Sequence, residues 1–242
     1  MKLAWPAWRG PRRPWLRRAL WVFLALVAAP HVLLLLYRLV PPLVTPLMLT
    51  RLVAGDGLTR DWVRLDEISP ALVSAVIAAE DGRFCTHHGV DWTEMRSALR
   101  DYQADERARG ASTITMQAVK NVVLWPGRDV IRKAIEVYLA HYVELIWPKH
   151  RIVEVYLNVA EWGPGVYGAE AAAQRYFRKP ARRLTAREAA LLAAVLPSPR
   201  RSRPDHPSPY TSDRAGAIQR RAAQLGPLLA CVRGGERSVH VE

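Results

Sequence analysis

The sequence predicts a mainly α-helical domain that follows one membrane-spanning helix. Three observations predict it: a long apolar run near the N-terminus, capping residues that recur after Leu65, and a scarcity of alternating strand patterns. The chain has 242 residues, which is enough for one anchor and one compact domain with its own core. Hydrophobic residues make up 50% of it, which is not typical of a disordered chain.

The N-terminal part predicts a membrane anchor. Residues 1–18 are rich in arginine, and the apolar run 19–37 contains no Asp, Glu, Lys or Arg and is long enough to cross a bilayer. The arginines predict a cytoplasmic N-terminus, and Pro30 with His31 is expected to kink the span. Two alternatives are a buried helix of a soluble protein and a cleaved signal peptide, although Pro30 and the continuing apolar run disfavour cleavage after Ala29.

The rest of the chain divides into three predicted parts. Residues 38–64 form a membrane-proximal linker that is too interrupted by proline for a second span, 65–226 form the soluble domain, and 227–242 form a flexible tail. The two cysteines, Cys85 and Cys231, form no CxxC or Cys/His cluster, so a structural zinc site is not expected. The sequence leaves a disulfide between them open but does not support one.

Capping residues predict where the helices of the domain begin. A Ser, Thr or Asp before an apolar-periodic run can satisfy the free N–H groups of a first helical turn. The predicted caps are Ser69, Asp91, Ser112 or Thr113, and Thr185. Apolar periodicity predicts another helix over 129–147, and a last helix is expected to open at Ser212-Asp213 and end near Gly226. Residues 163–168 match GxGxxG, but a helix precedes them and no βαβ unit surrounds them, so we interpret them as a glycine-rich turn.

The formal net charge of +13 predicts an anionic partner. Nucleic acid, an acidic membrane surface and a phosphorylated substrate are all compatible with it, and charge alone does not choose among them.

Polar residues concentrate in a few segments of the otherwise apolar helices. Glu80 and Asp81 end an apolar helix, and burial together with a neighbouring carboxylate would raise the pKa of Glu80 toward the range of a general acid or base. A solvated helix end is the alternative for this segment on its own. Further on, a glycine loop leads into a helix with hydroxyls at its start and Lys120 two turns later, a plausible phosphate cradle without the end of a Walker loop.

Two later segments place charges on helix faces. Arg132 and Lys133 lie four and three residues before Glu136, so the three side chains share a face. Such spacing is usually a surface salt-bridged face, which is the alternative to a binding site. The last segment, 149–158, reads KHRIVEVYLN and leads into the glycine turn.

Taken together and in order, the four segments resemble the defining blocks of the family 51 glycosyltransferases. The blocks EDxxFxxHxG, GxSTxxxQxxK, RKxxExxxAxxxE and KxxIxExYLN are intact here, beginning at residues 80, 110, 132 and 149. The joint match is far more specific than any block alone. The resemblance covers about Asp66 to Leu225, and no SxxK or KTG motif of a transpeptidase domain accompanies it.

The resemblance implies a mostly α, lysozyme-like fold and an inverting peptidoglycan glycosyltransferase. Its substrate would be lipid II, a disaccharide-pentapeptide on undecaprenyl pyrophosphate, and the growing glycan chain would be the donor. The family is inhibited by moenomycin, which mimics that donor. The enzyme would sit in the bacterial inner membrane as a single-pass protein with its catalytic domain in the periplasm.

The resemblance also implies roles for individual residues. Glu80 matches the base that accepts the hydroxyl proton, and Glu136 matches a second catalytic carboxylate that orients cations or a divalent ion near the leaving group. The implied substrate-binding residues are Asp81, Phe84, His87, Ser112, Thr113, Gln117, Lys120, Arg132 and Lys133. Among them the cations would bind pyrophosphate, the hydroxyls and the amide would support them, and Asp81 would tune Glu80.

No protein-bound metal or obligatory cofactor is expected, although a divalent cation could accompany the pyrophosphate. The expected partners are lipid II, the growing glycan, membrane lipids, and cell-division or cell-wall synthesis proteins; nucleic acid is not expected because the domain faces outward. A lytic enzyme that cuts glycan and a non-catalytic membrane scaffold are the competing hypotheses. The cations favour the polymerase, because a lytic enzyme has no pyrophosphate to hold.

Overall fold

A computed structural model describes residues 14–103, 110–127 and 129–233 of the chain. Its α-helices are α1 (Pro14–Tyr37), α2 (Pro46–Val53), α3 (Pro70–Glu80), α4 (Trp92–Gln103), α5 (Ile114–Val123), α6 (Val130–Ile146), α7 (Lys149–Val159), α8 (Ala169–Phe177), α9 (Ala186–Val195), α10 (Pro209–Gln224) and α11 (Ala230–Arg233). Short 3-10 helices cover Leu65–Glu67, Phe84–Thr86, Ala181–Arg183 and Gly226–Leu229. The predicted mainly α fold is therefore confirmed.

Helix α1 is long and apolar enough to cross a membrane, and among the described residues it is the one helix that meets this criterion. It extends five residues closer to the N-terminus than the predicted span and contains Pro30. Its C-terminal end is attached to the domain, because the indole of Trp147 donates to the carbonyl of Leu34 at 2.8 Å. The side chain of Leu34 is fully buried there.

The core of the domain lies among the apolar helices. Helix α9 packs against α3 and α10, which also pack against each other, and α5 packs between α6 and α7. Every residue from Ala189 to Val195 is buried, since small side chains allow close approach of neighbouring helices. Trp162, Tyr156 and Tyr167 fill the centre and are nearly or fully inaccessible to solvent.

Most of the predicted caps lie where the sequence placed them. Ser69, Asp91, Thr113 and Thr185 each accept a backbone N–H of the helix that follows. Asp129, which was not predicted as a cap, does the same for α6. The exception is the long C-terminal helix, for which the prediction was wrong. Helix α10 begins at Pro209 rather than after Ser212-Asp213, because the hydroxyl of Ser208 accepts the N–H of Thr211 at 3.2 Å and caps the helix. Pro209 suits the first helical position, since proline has no backbone N–H that would need an acceptor there.

A small sheet joins the region before the domain to the glycine-rich turn. Strands β2 (Glu161–Gly163) and β3 (Val166–Tyr167) pair antiparallel around the turn, and β1 (Thr59–Arg60) pairs parallel with β3. Gly165, with φ of +71°, approaches the chain so closely that a Cβ would lie 2.1 Å from the carbonyl oxygen of Asp56. The turn interpretation of residues 163–168 is therefore confirmed.

The segment predicted as a linker packs on the domain. Met48 in α2 is fully buried, and α2 packs on α5. Asn158 accepts the N–H of Val63 at 3.0 Å and donates to its carbonyl at 2.9 Å. Arg200 holds Asp56 through two hydrogen bonds. Residues 46–63 thus form part of the folded unit.

The predicted tail also begins with folded structure. Leu229 and Val232 are buried, and Cys231 in α11 forms a disulfide with Cys85, 146 residues earlier in the chain. The tail is therefore not flexible from residue 227 onward, and residues 234–242 lie outside the described ranges. The disulfide closes a loop that contains most of the domain.

Breaking this disulfide is expected to destabilise the domain. Cys231→Ala should lower the free energy of unfolding by about 3–5 kcal/mol, because a cross-link over so long a loop strongly restricts the unfolded chain. Denaturant unfolding in detergent, with and without reductant, measures the change. Reductant should weaken the wild type and leave Cys231→Ala unaffected; equal stability of the two proteins under oxidising conditions would contradict the expectation.

Candidate active site

Glu80 is the last residue of the buried helix α3 and is the candidate base. Its Oε2 accepts a hydrogen bond from Nε2 of Gln117 at 2.9 Å. Burial raises the pKa of Glu80, against the opposing effects of the Gln117 hydrogen bond and of the cations Arg214 and Lys120. The net result is a raised pKa, which moves this carboxyl toward the range in which a general base works best.

Asp81 connects parts of the protein by hydrogen bonds and has only a small effect on the pKa of Glu80. One of its oxygens lies 2.8 Å from Nε2 of His87, and the other accepts the N–H of Ile114 at 3.0 Å. Its charge is the smallest of the causes that shift the pKa of Glu80, so the expected tuning by Asp81 is weak. Asp81 and His87 are both buried and together fasten the first block to the start of α5.

Residues of the third and fourth blocks, which begin at residues 132 and 149, hold the first block in place. The ammonium of Lys149 lies 4.3 Å from the ring centroid of buried Phe84 and donates to the carbonyl of His87 at 2.7 Å. It also pairs with Glu144 at 2.9 Å, and Glu144 accepts the hydroxyl of Thr115 at 2.6 Å. Phe84 and His87 are thus held in place from α6 and α7.

The two hydroxyls at the start of α5 have different surroundings. Thr113 is 3% exposed, caps the helix and donates to the carbonyl of Gly89, so its hydroxyl is occupied within the protein. Ser112 is half-buried, and its hydroxyl accepts a hydrogen bond from Lys133 at 2.8 Å. Of the two, Ser112 lies with the cations predicted to bind phosphate.

Glu136 is locked between two cations. Its side chain is 2% exposed; one oxygen accepts from Arg132 at 2.7 Å and the other from Lys133 at 2.7 Å. Arg132 is itself buried, whereas the side chain of Lys133 is 39% exposed. The arrangement fixes both cations, and it leaves neither carboxylate oxygen of Glu136 free of a cationic partner.

Lys120 lies within electrostatic range of both carboxylates. Burial lowers the pKa of its ammonium, while the charges of Glu136 and Glu80 act in the opposite direction. The ammonium makes no hydrogen bond or ion pair with any residue of the described ranges. A partly buried cation without such a partner is well suited to an anionic ligand.

The residues present do not fit a protein-held divalent cation. Such ions prefer several oxygen ligands, and the described part of the chain contains no group of three His, Cys, Asp or Glu that could hold one. Glu136, the carboxylate predicted to lie near the leaving group, is already bound by Arg132 and Lys133.

Two residues near Glu80 were not predicted. Arg214 of α10 lies close enough to lower the pKa of Glu80, although no local pattern in the sequence distinguishes it from neighbouring surface arginines. The hydroxyl of Tyr156, in the fourth block, donates to Oε1 of Gln117 at 3.1 Å. The block itself was recognised, but a contact between α7 and α5 cannot be read from spacing along one helix.

This mainly α-helical fold, with a shielded glutamate next to a cluster of cations, defines a glycosyl-transferring enzyme of the lysozyme-like class. The chain belongs to the transglycosylase family, since the model of that family, described as "Transglycosylase", matches residues 48–223. The match begins within α2, in agreement with the packing of that helix on the domain.

Relatives over most of the chain carry a common name. The chain is similar to a "Biosynthetic peptidoglycan transglycosylase" of Rhodospirillum centenum, 52% identical over 90% of this chain and 95% of the relative. Proteins of the same name occur in Rhizobium etli, 47% identical over 91% of this chain and 95% of the relative, and in Bdellovibrio bacteriovorus, 50% identical over 81% of each.

The raised pKa of Glu80 predicts how stability depends on pH. The folded state binds this proton more tightly than the unfolded state, so this group's contribution to stability falls as pH rises from 4.5 through the raised pKa. Glu80→Gln removes the titrating carboxyl and should not destabilise the protein at neutral pH. This is the expected behaviour of an active-site residue that is kept for activity and not for stability. Denaturation midpoints between about pH 4 and about pH 8 test this.

Glu188→Gln is the matched control with the opposite sign. Burial raises the pKa of Glu188, but hydrogen bonds from Lys179 and Thr185 outweigh it and lower the pKa below 4.5. Its stabilisation is present at neutral pH and is lost as pH falls through the folded pKa, so Glu188→Gln should weaken the protein at neutral pH. A Glu80→Gln variant that is destabilised in the same way would show that Glu80 is a structural residue.

Proposed function

We propose that this protein polymerises lipid II into the glycan strands of peptidoglycan. The 4-hydroxyl of an incoming lipid II attacks the anomeric carbon of the growing chain. A β-1,4 bond forms with inversion, the bond to the pyrophosphate breaks, and undecaprenyl pyrophosphate leaves with the bonding electron pair. The observation that carries the proposal is the partly buried Lys120, whose ammonium has no partner among the described residues and lies within electrostatic range of the shielded Glu80 and of the cations bound to Glu136.

Glu80 takes the proton of the attacking hydroxyl. Its carboxylate is held by one neutral amide donor rather than by a direct ion pair among the described residues, which leaves an oxygen to accept the proton. Its raised pKa makes the carboxylate a better proton acceptor than an exposed glutamate, provided that it is ionised at the working pH. Direct displacement at the anomeric carbon needs no covalent glycosyl-enzyme.

The cations stabilise the leaving group. Negative charge builds on the pyrophosphate as the glycosidic bond breaks, and preorganised positive charge stabilises that transition state. Lys120 and Lys133 supply exposed or unpaired ammonium groups, and Arg132 supplies a buried guanidinium. The hydroxyl of Ser112, in the loop just before α5, accepts a hydrogen bond from the ammonium of Lys133.

Glu136 orients these cations and does not exchange a proton with substrate. A carboxylate bound by two cations is stabilised in its charged form and is a poor base. A divalent cation that accompanied the pyrophosphate would supply further positive charge for the leaving group, while Glu136 remains engaged by Arg132 and Lys133.

The location follows from the substrate and from α1. Lipid II stays in the bilayer, so an enzyme anchored by α1 in the bacterial inner membrane meets it without leaving the surface. The arginines before α1 favour a cytoplasmic N-terminus and thereby support a periplasmic location for the domain. Membrane lipids are then direct partners, whereas cell-division and cell-wall synthesis proteins stay a prediction from the sequence.

Purified protein in detergent is expected to convert labelled lipid II into lysozyme-digestible polymer, and moenomycin should block the reaction. Glu80→Gln should abolish polymer formation, and Glu188→Gln, which changes a carboxylate paired with Lys179 rather than one of the candidate site residues, should keep it at temperatures where the variant is folded. Cleavage of preformed glycan without polymer formation would support a lytic enzyme instead. The absence of both activities would leave a membrane scaffold as the explanation.

Lys120→Met should chiefly impair use of the donor. Loss of one charged contact to the pyrophosphate is expected to lower kcat/KM by about 10- to 100-fold. Lys179→Met is the control, because Lys179 pairs with Glu188 away from these residues. Steady-state rates at varied lipid II concentrations measure the effect, and equal kcat/KM in the two variants would remove Lys120 from the donor site.

A further inference from the structure

A hydrogen-bonded chain reaches Glu80 from inside the core. Tyr156 of α7 is 1% exposed, and its hydroxyl lies 3.1 Å from Oε1 of Gln117. Nε2 of the same amide lies 2.9 Å from Oε2 of Glu80. A single glutamine on α5 thus joins a buried phenol to the candidate base.

The donor and acceptor groups allow only one orientation of the Gln117 amide in this series of hydrogen bonds. An ionised carboxylate can only accept hydrogen bonds, so the amide must present its NH2 group to Glu80 and its oxygen to Tyr156. The carbonyl of Ser112, 3.5 Å from Nε2 of Gln117, favours the same orientation because it too can only accept. Burial raises the pKa of Tyr156 well above 10, so the phenol keeps its proton and remains a donor.

We propose that Tyr156 is a positioning residue for catalysis: its hydroxyl fixes the Gln117 amide so that the NH2 group faces Glu80 and stabilises the ionised, proton-accepting carboxylate. The inference rests on the proposed function and deepens it. Tyr156 does not touch substrate in this role; it acts only through Gln117.

The alternative amide orientation shows why the hydroxyl matters. Without it, the Gln117 amide can turn its oxygen toward Glu80, where it would accept a hydrogen bond from the O–H of the neutral carboxyl and stabilise this inactive, protonated form. The other charged groups near Glu80 are Asp81 next in the chain, Lys120 on α5 and Arg214 on α10. After burial, the Gln117 hydrogen bond is the largest influence on the pKa of Glu80, so its loss raises that pKa further.

Tyr156→Phe tests the proposal because it removes one oxygen and keeps the ring. Polymerisation rates are measured across pH, with kcat and KM separated. The acid limb of the kcat profile should move to higher pH by roughly 0.5 to 1 unit. At pH values on that limb the rate should fall about 3- to 10-fold and recover at higher pH, while KM for lipid II changes little.

Tyr167→Phe is a matched control. Tyr167 is also fully buried, and its hydroxyl has no hydrogen-bond partner among the residues described. It should leave the acid limb at the wild-type position. A loss of activity in Tyr156→Phe that is uniform at every pH would overturn the proposal, because only packing would then be affected.

Gln117→Met provides an independent readout, including the case in which Tyr156→Phe folds poorly. It removes the donor to Glu80 and should shift the acid limb upward by itself. In the double variant, Tyr156→Phe should add no further shift, since its effect passes through Gln117. The proposal would be overturned if the shifts of the acid limb were additive in the double variant, or if Gln117→Met left the acid limb at the wild-type position. Wild-type protein that forms no polymer would overturn the proposed function itself.

Discussion

The structure depends on keeping a carboxylate at the end of a buried apolar helix. Glu80 closes α3, whose packing against α9 and α10 removes it from most of the solvent. A carboxylate so placed must be compensated, and the compensation comes from other helices: an amide from α5 at Gln117 and the charges of Lys120 and Arg214. Because these groups arrive from elements far apart in the chain, the site exists only when α3, α5 and α10 are packed together.

The two glutamates of the site differ in their partners, and the difference separates their roles. Glu136 is bound by the full charges of Arg132 and Lys133. Among the described residues, Glu80 has one neutral donor at hydrogen-bonding distance, and cations lie only further away. Two carboxyl groups in one cleft can perform different chemistry when their environments stabilise different protonation states. The cation-bound group is suited to hold charge in place, and the shielded group is suited to move a proton.

The features that could be predicted from the sequence are those that depend on residues close together in the chain. Caps such as Ser69 depend on a few neighbouring residues, so they could be read directly; Ser208 was missed because Ser212-Asp213, four residues later, has equally good capping chemistry. The pairing of Cys231 over 146 residues and the contact of Tyr156 with Gln117 depend on helix packing, which periodicity along one helix cannot give. The resemblance identified the polar blocks, but only the structure shows which of their side chains form hydrogen bonds within the protein and are therefore not available to a ligand.

The attachment of α1 to the domain connects the anchor with the donor site. Tyr37 is the last residue of α1, where a carbonyl has no partner within the helix, and it accepts a hydrogen bond from Arg151. The carbonyl of Leu34, one turn earlier, accepts from Trp147 in addition to the N–H of Arg38. Trp147 follows the end of α6, and Arg132 lies near the start of that helix, about 22 Å away at 1.5 Å per residue. Since α6 is continuous, it fixes the distance between the end of the anchor and the cations. A substrate whose pyrophosphate sits at the bilayer surface would therefore meet those cations at a set height, which a flexible linker could not provide.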